Sequence, residues 1–276
     1  MDESLERSVP CALAIGGLDP SGGAGLPADI RAMAAFGVHC CTVATAVIAQ
    51  NTRGVVAIEP VSTKMFEAQL DNLLEDTTPR AIKVGMLPTI EIVNSLAVRL
   101  RQLSHIPLIV DTVFAPSSGP RFSDMATTKQ LAEQLLPLAE LVTPNIPEAI
   151  QLTGQPITDG ASMIQAAQFI HHRYRARCVL IKGGHWTDIV EESSSNPLGN
   201  EAVDLLLTGT EIVELRAPRI AEYEVRGTGC LLASAIAAQR AQGLPVIEAA
   251  HNAKQWLTTQ IREAKVTGHG RRVATL

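Results

Sequence analysis

Aromatic residues are scarce: Phe, Trp and Tyr together make up 3 % of the 276 positions. A base-stacking platform needs such rings in number, so that class of function is disfavoured. Positive charge is also short, with 23 Lys and Arg against 28 Asp and Glu and a net charge of −5. That balance argues against a predominantly nucleic-acid-binding surface. No uninterrupted apolar run is long enough to span a bilayer. Residues 1–10 mix Asp2, Glu3, Glu6 and Arg7, without the charged-then-apolar order of a signal peptide. The cysteines, Cys11, Cys40, Cys41, Cys178 and Cys230, form no CxxC pair. Their odd number fits reduced thiols in the cytoplasm, with neither a disulfide framework nor a structural zinc site. Neither nucleic acid nor membrane is expected as a partner.

What is present is core-forming material. Hydrophobic residues make up 46 % and charged residues 18 %, which is a globular profile. Strand-like runs fall at Ala12–Gly17, Cys40–Ala49, Ile82–Val84, Leu108–Val110, Leu141–Thr143 and Cys178–Ile181. Helical patterns fall between them at Pro27–Phe36, Thr63–Leu74, Ile90–Leu103, Ser123–Leu135 and Ser162–Tyr174. Strands separated by helices predict an α/β fold, a mainly parallel central sheet with helices on both faces. Ala202–Leu207 and Glu211–Leu215, joined by Thr208-Gly-Thr210, read as a small β-hairpin appended to that sheet. Glu191–Gly199 is polar and rich in breakers, so it reads as a solvated loop. No repeat or linker divides the chain. Residues 1–276 are therefore expected to form a single domain with its core in 11–270.

Chemistry concentrates in Arg226-Gly-Thr-Gly-Cys230, which leads straight into the apolar run Leu231–Ala238. Amides at a helix start lack intrahelical partners, and the helix dipole adds positive charge there. Gly227, Thr228, Gly229 and Cys230 can therefore cradle phosphate oxygens. The same field is expected to lower the Cys230 thiol pKa and make it a proton acceptor. An anion cradle with a base inside it points to phosphoryl transfer to a hydroxyl. Taken alone, the segment fits a packing turn before a helix just as well.

A second glycine-rich loop, Gly16–Gly25, follows the first strand. It is neither the dinucleotide GxGxxG pattern nor a P-loop. Asp29, just beyond it, is placed to reach a ligand lying over the loop. In open α/β sheets ligands bind beyond the carboxyl ends of the strands. Gln50, Met86 and the segment Asp111-Thr-Val113 stand at such ends, and Gln50 offers the donor and acceptor that suit an aminopyrimidine edge. Asn145 and Glu148 share one face of a first helical turn. They can organise a hydrated Mg²⁺, form a capping box, or do both. Lys182, beside Gly183-Gly184, suits a nucleotide phosphate.

Taken together, these segments resemble the hydroxymethylpyrimidine/phosphomethylpyrimidine kinases of thiamine biosynthesis, within the ribokinase-like superfamily. The matches are DPSGGAG at Asp19–Gly25, AQNTRGV at Ala49–Val55, KVGML at Lys83–Leu87 and DTVF at Asp111–Phe114. TPNIPEA at Thr143–Ala149, IKGGH at Ile181–His185, GTGC at Gly227–Cys230, AKQWL at Ala253–Leu257 and GHG at Gly268–Gly270 continue them in order. The resemblance implies a sandwich-like α/β fold and a pyrimidine pocket at Gly17, Asp29, Gln50, Met86 and Val113. It implies an anion hole at Gly227–Cys230 with Cys230 as base. It also places Lys182, Asn145, Glu148 and Lys254 around ATP and Mg²⁺, and implies a homodimer.

Three positions depart from the family's usual pattern. Arg226 stands where His usually precedes the anion hole, and its guanidinium could reach a phosphate of nucleotide or substrate. The flap after the fourth strand reads Ala115-Pro-Ser-Ser-Gly119, and Pro27 replaces a common Gln. The reading that results is an ATP-dependent kinase acting on 4-amino-5-hydroxymethyl-2-methylpyrimidine and then on its monophosphate. The alternatives are a pyridoxal-type vitamin kinase on the same fold and a non-catalytic ligand-binding protein.

Overall fold

The computed structural model describes residues 9–115, 121–184 and 201–275. The polar loop 191–199, His185 and residues 116–119 of the flap lie outside them. β1 (Cys11–Leu18) is buried over Ala12–Gly17, as a strand covered on both faces must be. α1 (Gly25–Ala35) returns the chain to β2 (His39–Gln50), which pairs parallel with β1. β3 (Val55–Pro60), an element that periodicity did not reveal, folds back antiparallel along β2. α2 (Thr63–Asp76) then crosses to β4 (Ala81–Val84), parallel to β1 on its other side. The parallel run continues through α3 (Ile90–Gln102), β5 (Leu108–Val110), α4 (Met125–Gln134) and β6 (Leu141–Val142). It ends with α5 (Ile146–Thr153), α6 (Gly160–Tyr174) and β7 (Cys178–Ile181). β8 (Glu201–Thr208) and β9 (Glu211–Pro218) are the expected hairpin, joined antiparallel to β7 as the other edge of the same sheet. Outside the sheet, β10 (Val225–Arg226) precedes α7 (Thr228–Ala241), α8 (Val246–Arg262) and β11 (Arg272–Val273).

Alternation along each strand sends side chains to two different helix layers. Leu13, Ile15, Ile82, Val84, Val110 and Val142 pack with α2–α6, whereas Ala12, Ala14, Ala81, Ile109 and Leu141 pack with α1, α7 and α8. Alanine dominates the second face, so α1 and α7 can approach the sheet closely. α7 is buried on every side from Leu231 to Gln239, consistent with an apolar run that lacks a polar stripe. Lys83 occupies a position on this same alanine-rich face, where alternation predicts an apolar residue.

The sheet order, β3-β2-β1-β4-β5-β6-β7-β8-β9, places the site. From β1 the chain goes first to β2 on one side and then to β4 on the other. That reversal opens a crevice beyond the carboxyl ends of β1 and β4, where open α/β sheets take ligands.

Candidate active site

A pocket fills that crevice. Gly16 and Gly17 at the end of β1, Ile48 and Gln50 on β2, Met86 after β4 and Val113 after β5 line it, with Asp29, Lys83, Phe122 and Cys230. The five residues that the sequence grouped around the pyrimidine, Gly17, Asp29, Gln50, Met86 and Val113, thus share one pocket with Cys230. Met86 is held from behind, since the buried Thr45 hydroxyl donates to its carbonyl at 2.8 Å.

The glycine loop is braced by Asp19. One carboxylate oxygen accepts from the Ser21 amide at 2.9 Å and its hydroxyl at 2.7 Å, and the other accepts from the Ala24 amide at 2.9 Å. Beside the same loop lies Arg226, its Nε 3.8 Å from Asp19 Oδ2. Arg226 is absent from the residues lining the pocket. The structure thus sets Arg226 beside Asp19, which itself lines the pocket, and the buried Arg226 Nε has no hydrogen-bond partner among the described residues. The attraction of a buried carboxylate accounts for that placement.

Asp29 lines the pocket and is also committed within the protein. Lys83 Nζ donates to both of its oxygens at 2.9 Å, and Ser234 on α7 donates to Oδ1 at 2.7 Å. Burial pulls the Asp29 pKa upward, and these donors oppose it. For Lys83, burial acts downward, but Asp29, Cys230 and Asp111 carry the net shift upward and keep the ammonium charged. Periodicity missed Lys83 as a site residue. Its signal was a lysine inside the apolar run Ala81–Val84, which only a buried carboxylate can accommodate.

The Gly227–Cys230 turn begins with Gly227 at φ 74°, and a side chain there would overlap the Gly23 carbonyl, so only glycine fits. α7 starts at Thr228, leaving the first amides, including those of Gly229 and Cys230, free of helical acceptors. A side chain on Gly229 would stand 3.1 Å from Lys182 Nζ and 3.9 Å from Asp111 Oδ2, so both groups border the turn. The Cys230 thiol does not have the lowered pKa expected at a helix start. Burial pushes it to about 11, reinforced by Asp111 and Asp29, while Lys83 and the Gly25 amide pull the other way. Desolvation outweighs the helix field here, and the resting thiol is protonated at neutral pH.

On the other side of the turn, Lys182 donates to Asp111 Oδ1 at 2.8 Å, an oxygen that also accepts from Thr143 at 2.9 Å. Lys182 and Lys83 hold Asp111 ionised against its burial. Asn145 and Glu148 form a complete capping box: Asn145 Oδ1 accepts from the Glu148 amide and Glu148 Oε2 from the Asn145 amide, each at 2.8 Å. Thr112 also donates to Glu148 at 3.1 Å. Burial lifts Glu148 to about 7, with Lys182 opposing and Asp111 adding to the rise. Lys254 on α8 donates to Asp204 Oδ2 at 2.7 Å, and Asp204 Oδ1 accepts from the Gly183 amide at 2.9 Å. That bond joins Lys254 to the loop carrying Lys182. Among the described residues no helix is long and apolar enough to cross a membrane.

Comparison with known proteins shows the family to which the chain is similar. A family model described as phosphomethylpyrimidine kinase matches residues 19–274. A hydroxymethylpyrimidine/phosphomethylpyrimidine kinase from Rhizobium meliloti is 41 % identical over 254 residues, covering 92 % of this chain and 91 % of that protein. A thiamine biosynthesis bifunctional protein from Geobacter sulfurreducens is 40 % identical over 94 % of this chain, which spans 50 % of that longer protein. The crystal structure of phosphomethylpyrimidine kinase from Clostridium difficile 630 superposes with a TM-score of 0.77 at 33 % identity, covering 91 % of this chain and 99 % of the other. Bacillus subtilis pyridoxal kinase, solved as an ADP complex, gives 0.84 at 30 % identity, with 97 % of each chain covered.

Proposed function

This chain belongs to the phosphomethylpyrimidine kinase family, and on that premise we propose how its own residues carry the reaction. The enzyme moves the γ-phosphoryl group of ATP to the hydroxymethyl group of 4-amino-5-hydroxymethyl-2-methylpyrimidine, and then a second one to the monophosphate. The observation that carries this reading is the meeting in one pocket of Gln50, Met86 and Val113 with Cys230 at the head of α7. Gln50 reads the aminopyrimidine edge. Gly17, Met86 and Val113 hold the flat ring, and Asp29, fixed by Lys83, shapes the floor beneath it.

The Gly227–Cys230 amides stabilise charge on the transferring group, a contribution typically worth about 3–4 kcal/mol for a well-aimed donor. Lys182 and Lys254 neutralise the triphosphate. As base Cys230 acts through its thiolate, the minor form while its pKa stands at about 11, so the thiol proton leaves to solvent before the thiolate takes the hydroxyl proton as the new P–O bond forms. A loose phosphoryl-transfer transition state asks little of a base until late, so a small thiolate fraction suffices.

Magnesium would supply charge neutralisation between phosphate oxygens. Among the described residues Asp111 Oδ2 takes no hydrogen bond, it lies 3.9 Å from where a Cβ on Gly229 would stand, and Glu148 is close enough for its charge to act on the same Lys182 and Asp111. Among the described residues no three His, Cys, Asp or Glu side chains gather into a cage. That donor set fits an ion held largely by water and phosphate, as Mg²⁺ usually is, with Asn145 organising the turn that carries Glu148. The homodimer that the resemblance implies is checked by sedimentation of the purified chain.

A coupled assay of ATP consumption with the hydroxymethylpyrimidine tests the reaction, and no turnover of it would refute the reading. The similarity to pyridoxal kinase favours one second reading, phosphorylation of pyridoxal. The same assay with pyridoxal separates the two.

A further inference from the structure

The turn that follows Gln50 is held by chain from far along the sequence. β2 ends at Gln50, and the Asn51 amide closes the turn onto the Gly54 carbonyl at 3.1 Å. Asn51 Oδ1 also accepts from the Arg53 amide at 2.8 Å. Thr52, at the tip, is 8 % exposed because the GHG segment covers it. The Gly270 amide donates to Thr52 Oγ1 at 3.1 Å, and the Arg271 amide donates to the Thr52 carbonyl at 3.0 Å.

Both glycines of that motif are dictated by this contact. A Cβ on Gly268 would lie 2.6 Å from Thr52 Oγ1 and 3.1 Å from its Cγ2, and one on Gly270 would overlap the Thr52 carbonyl. The same segment runs on as β11, which pairs parallel with β10 through Val225↔Arg272 and Arg226↔Val273. β10 runs directly into Gly227, the head of the phosphate turn. Val273 also reaches the glycine loop, with its Cγ2 3.3 Å from where a Cβ on Gly23 would stand. The Lys265 and Val273 amides and carbonyls bond reciprocally at 2.9 Å and fasten the segment behind α8.

We propose that residues 268–273 act as a strap that sets the position of Gln50 relative to the phosphate turn, with Thr52, Gly268 and Gly270 as positioning residues for the pyrimidine. The inference rests on the pyrimidine reading of Gln50 given above. No strap residue lines the pocket. Its effect therefore passes through the turn that follows Gln50. Lys182 and Lys254 hang on β7 and α8 by other contacts, so the nucleotide end is spared.

Gly268→Ala, Thr52→Ala and the double variant test this. Gly268→Ala should raise KM for the pyrimidine about tenfold, the scale of one displaced polar contact, and leave KM for ATP and kcat within about twofold. Thr52→Ala should raise the pyrimidine KM less, and the double variant should recover most of the Gly268→Ala loss, because alanine carries neither Oγ1 nor Cγ2. Equal rises in both KM values, no rise at all, or a double variant no better than Gly268→Ala would each overturn the strap.

Where Gly268→Ala does not fold, Thr52→Val against Thr52→Ser isolates the Oγ1 bond by the same KM comparison. If the wild-type protein does not phosphorylate the pyrimidine, the substrate reading has failed by itself. Hydrogen exchange then decides the strap separately. Gly268→Ala should speed exchange at the Asn51 and Gly54 amides, and unchanged protection there would dismiss it.

Discussion

The two ends of the cleft hold their lysines differently. Beneath the pyrimidine end, Lys83 gives two bonds to the two oxygens of one carboxylate and its side chain is 1 % exposed. At the nucleotide end, Lys182 and Lys254 each make one bond, to Asp111 and Asp204, and their side chains are 14 % and 9 % exposed. The first arrangement completes a charge inside the protein and makes it part of the floor. The second leaves Nζ donors of Lys182 and Lys254 with no further partner among the described residues, and the proposed function gives these donors to phosphate. One residue type thus serves two purposes, and the number of bonds already made to the protein tells them apart.

The largest expected effect comes from breaking the inner pair. Lys83→Met strands a buried carboxylate and should cost about 3–5 kcal/mol of stability, while a double Lys83→Met, Asp29→Asn variant should recover most of it. ATP should still raise the Tm of Lys83→Met, whereas Lys182→Met should lose that ATP-dependent rise. If both variants kept the rise, or both lost it, the distinction between the two ends would collapse.

Next in size is Cys230→Ala, expected to lower kcat at least about 10²-fold with ATP affinity intact. Turnover close to wild type would make Cys230 a packing residue and leave the amides to carry catalysis. The same thiol can be followed by pH. Below a pKa near 11 the thiolate fraction grows with pH, so iodoacetamide should label Cys230 about tenfold faster per unit between about pH 7 and 9. A plateau in that range would mean an activated thiol.

Gln50→Leu should act on one end alone, raising KM for the pyrimidine by the equivalent of about 1–3 kcal/mol with KM for ATP unchanged. An unchanged pyrimidine KM would move the reading edge elsewhere. Arg226→His should be the mildest, a small and equal loss in both phosphorylations, because the one described partner of Arg226 is Asp19, an ion pair at 3.8 Å. A selective loss in the second phosphorylation would return Arg226 to the substrate phosphate.

The parallel strands could be read directly because each is a short apolar run closed by breakers, as at Leu108–Val110 and Cys178–Ile181. β3 escaped because Val56, Ala57 and Glu59 are exposed and its runs show neither clean alternation nor a tight-turn dipeptide. In the pocket, Gln50, Met86, Val113 and Cys230 were legible from their places at strand and helix ends, and Gly17 from the family resemblance. Lys83 and Ser234 were not, since their meeting with Asp29 spans 54 and 205 positions. The Cys230 pKa was misjudged for a related reason. A helix start is visible in the chain, but the depth at which it is buried is set by distant packing.

The strap adds a timing consequence. Gly270 lies 218 positions after Thr52, and a chain made at about 5–20 residues per second reaches it roughly 10–45 s later. Through that interval β1, β2 and β4 can already pair and the cleft floor can form. The turn behind Gln50 still lacks its partner, so a nascent chain has a sheet before it has a substrate edge. A ribosome that stalls or terminates ahead of Gly268 would release a folded core with its pyrimidine grip unset.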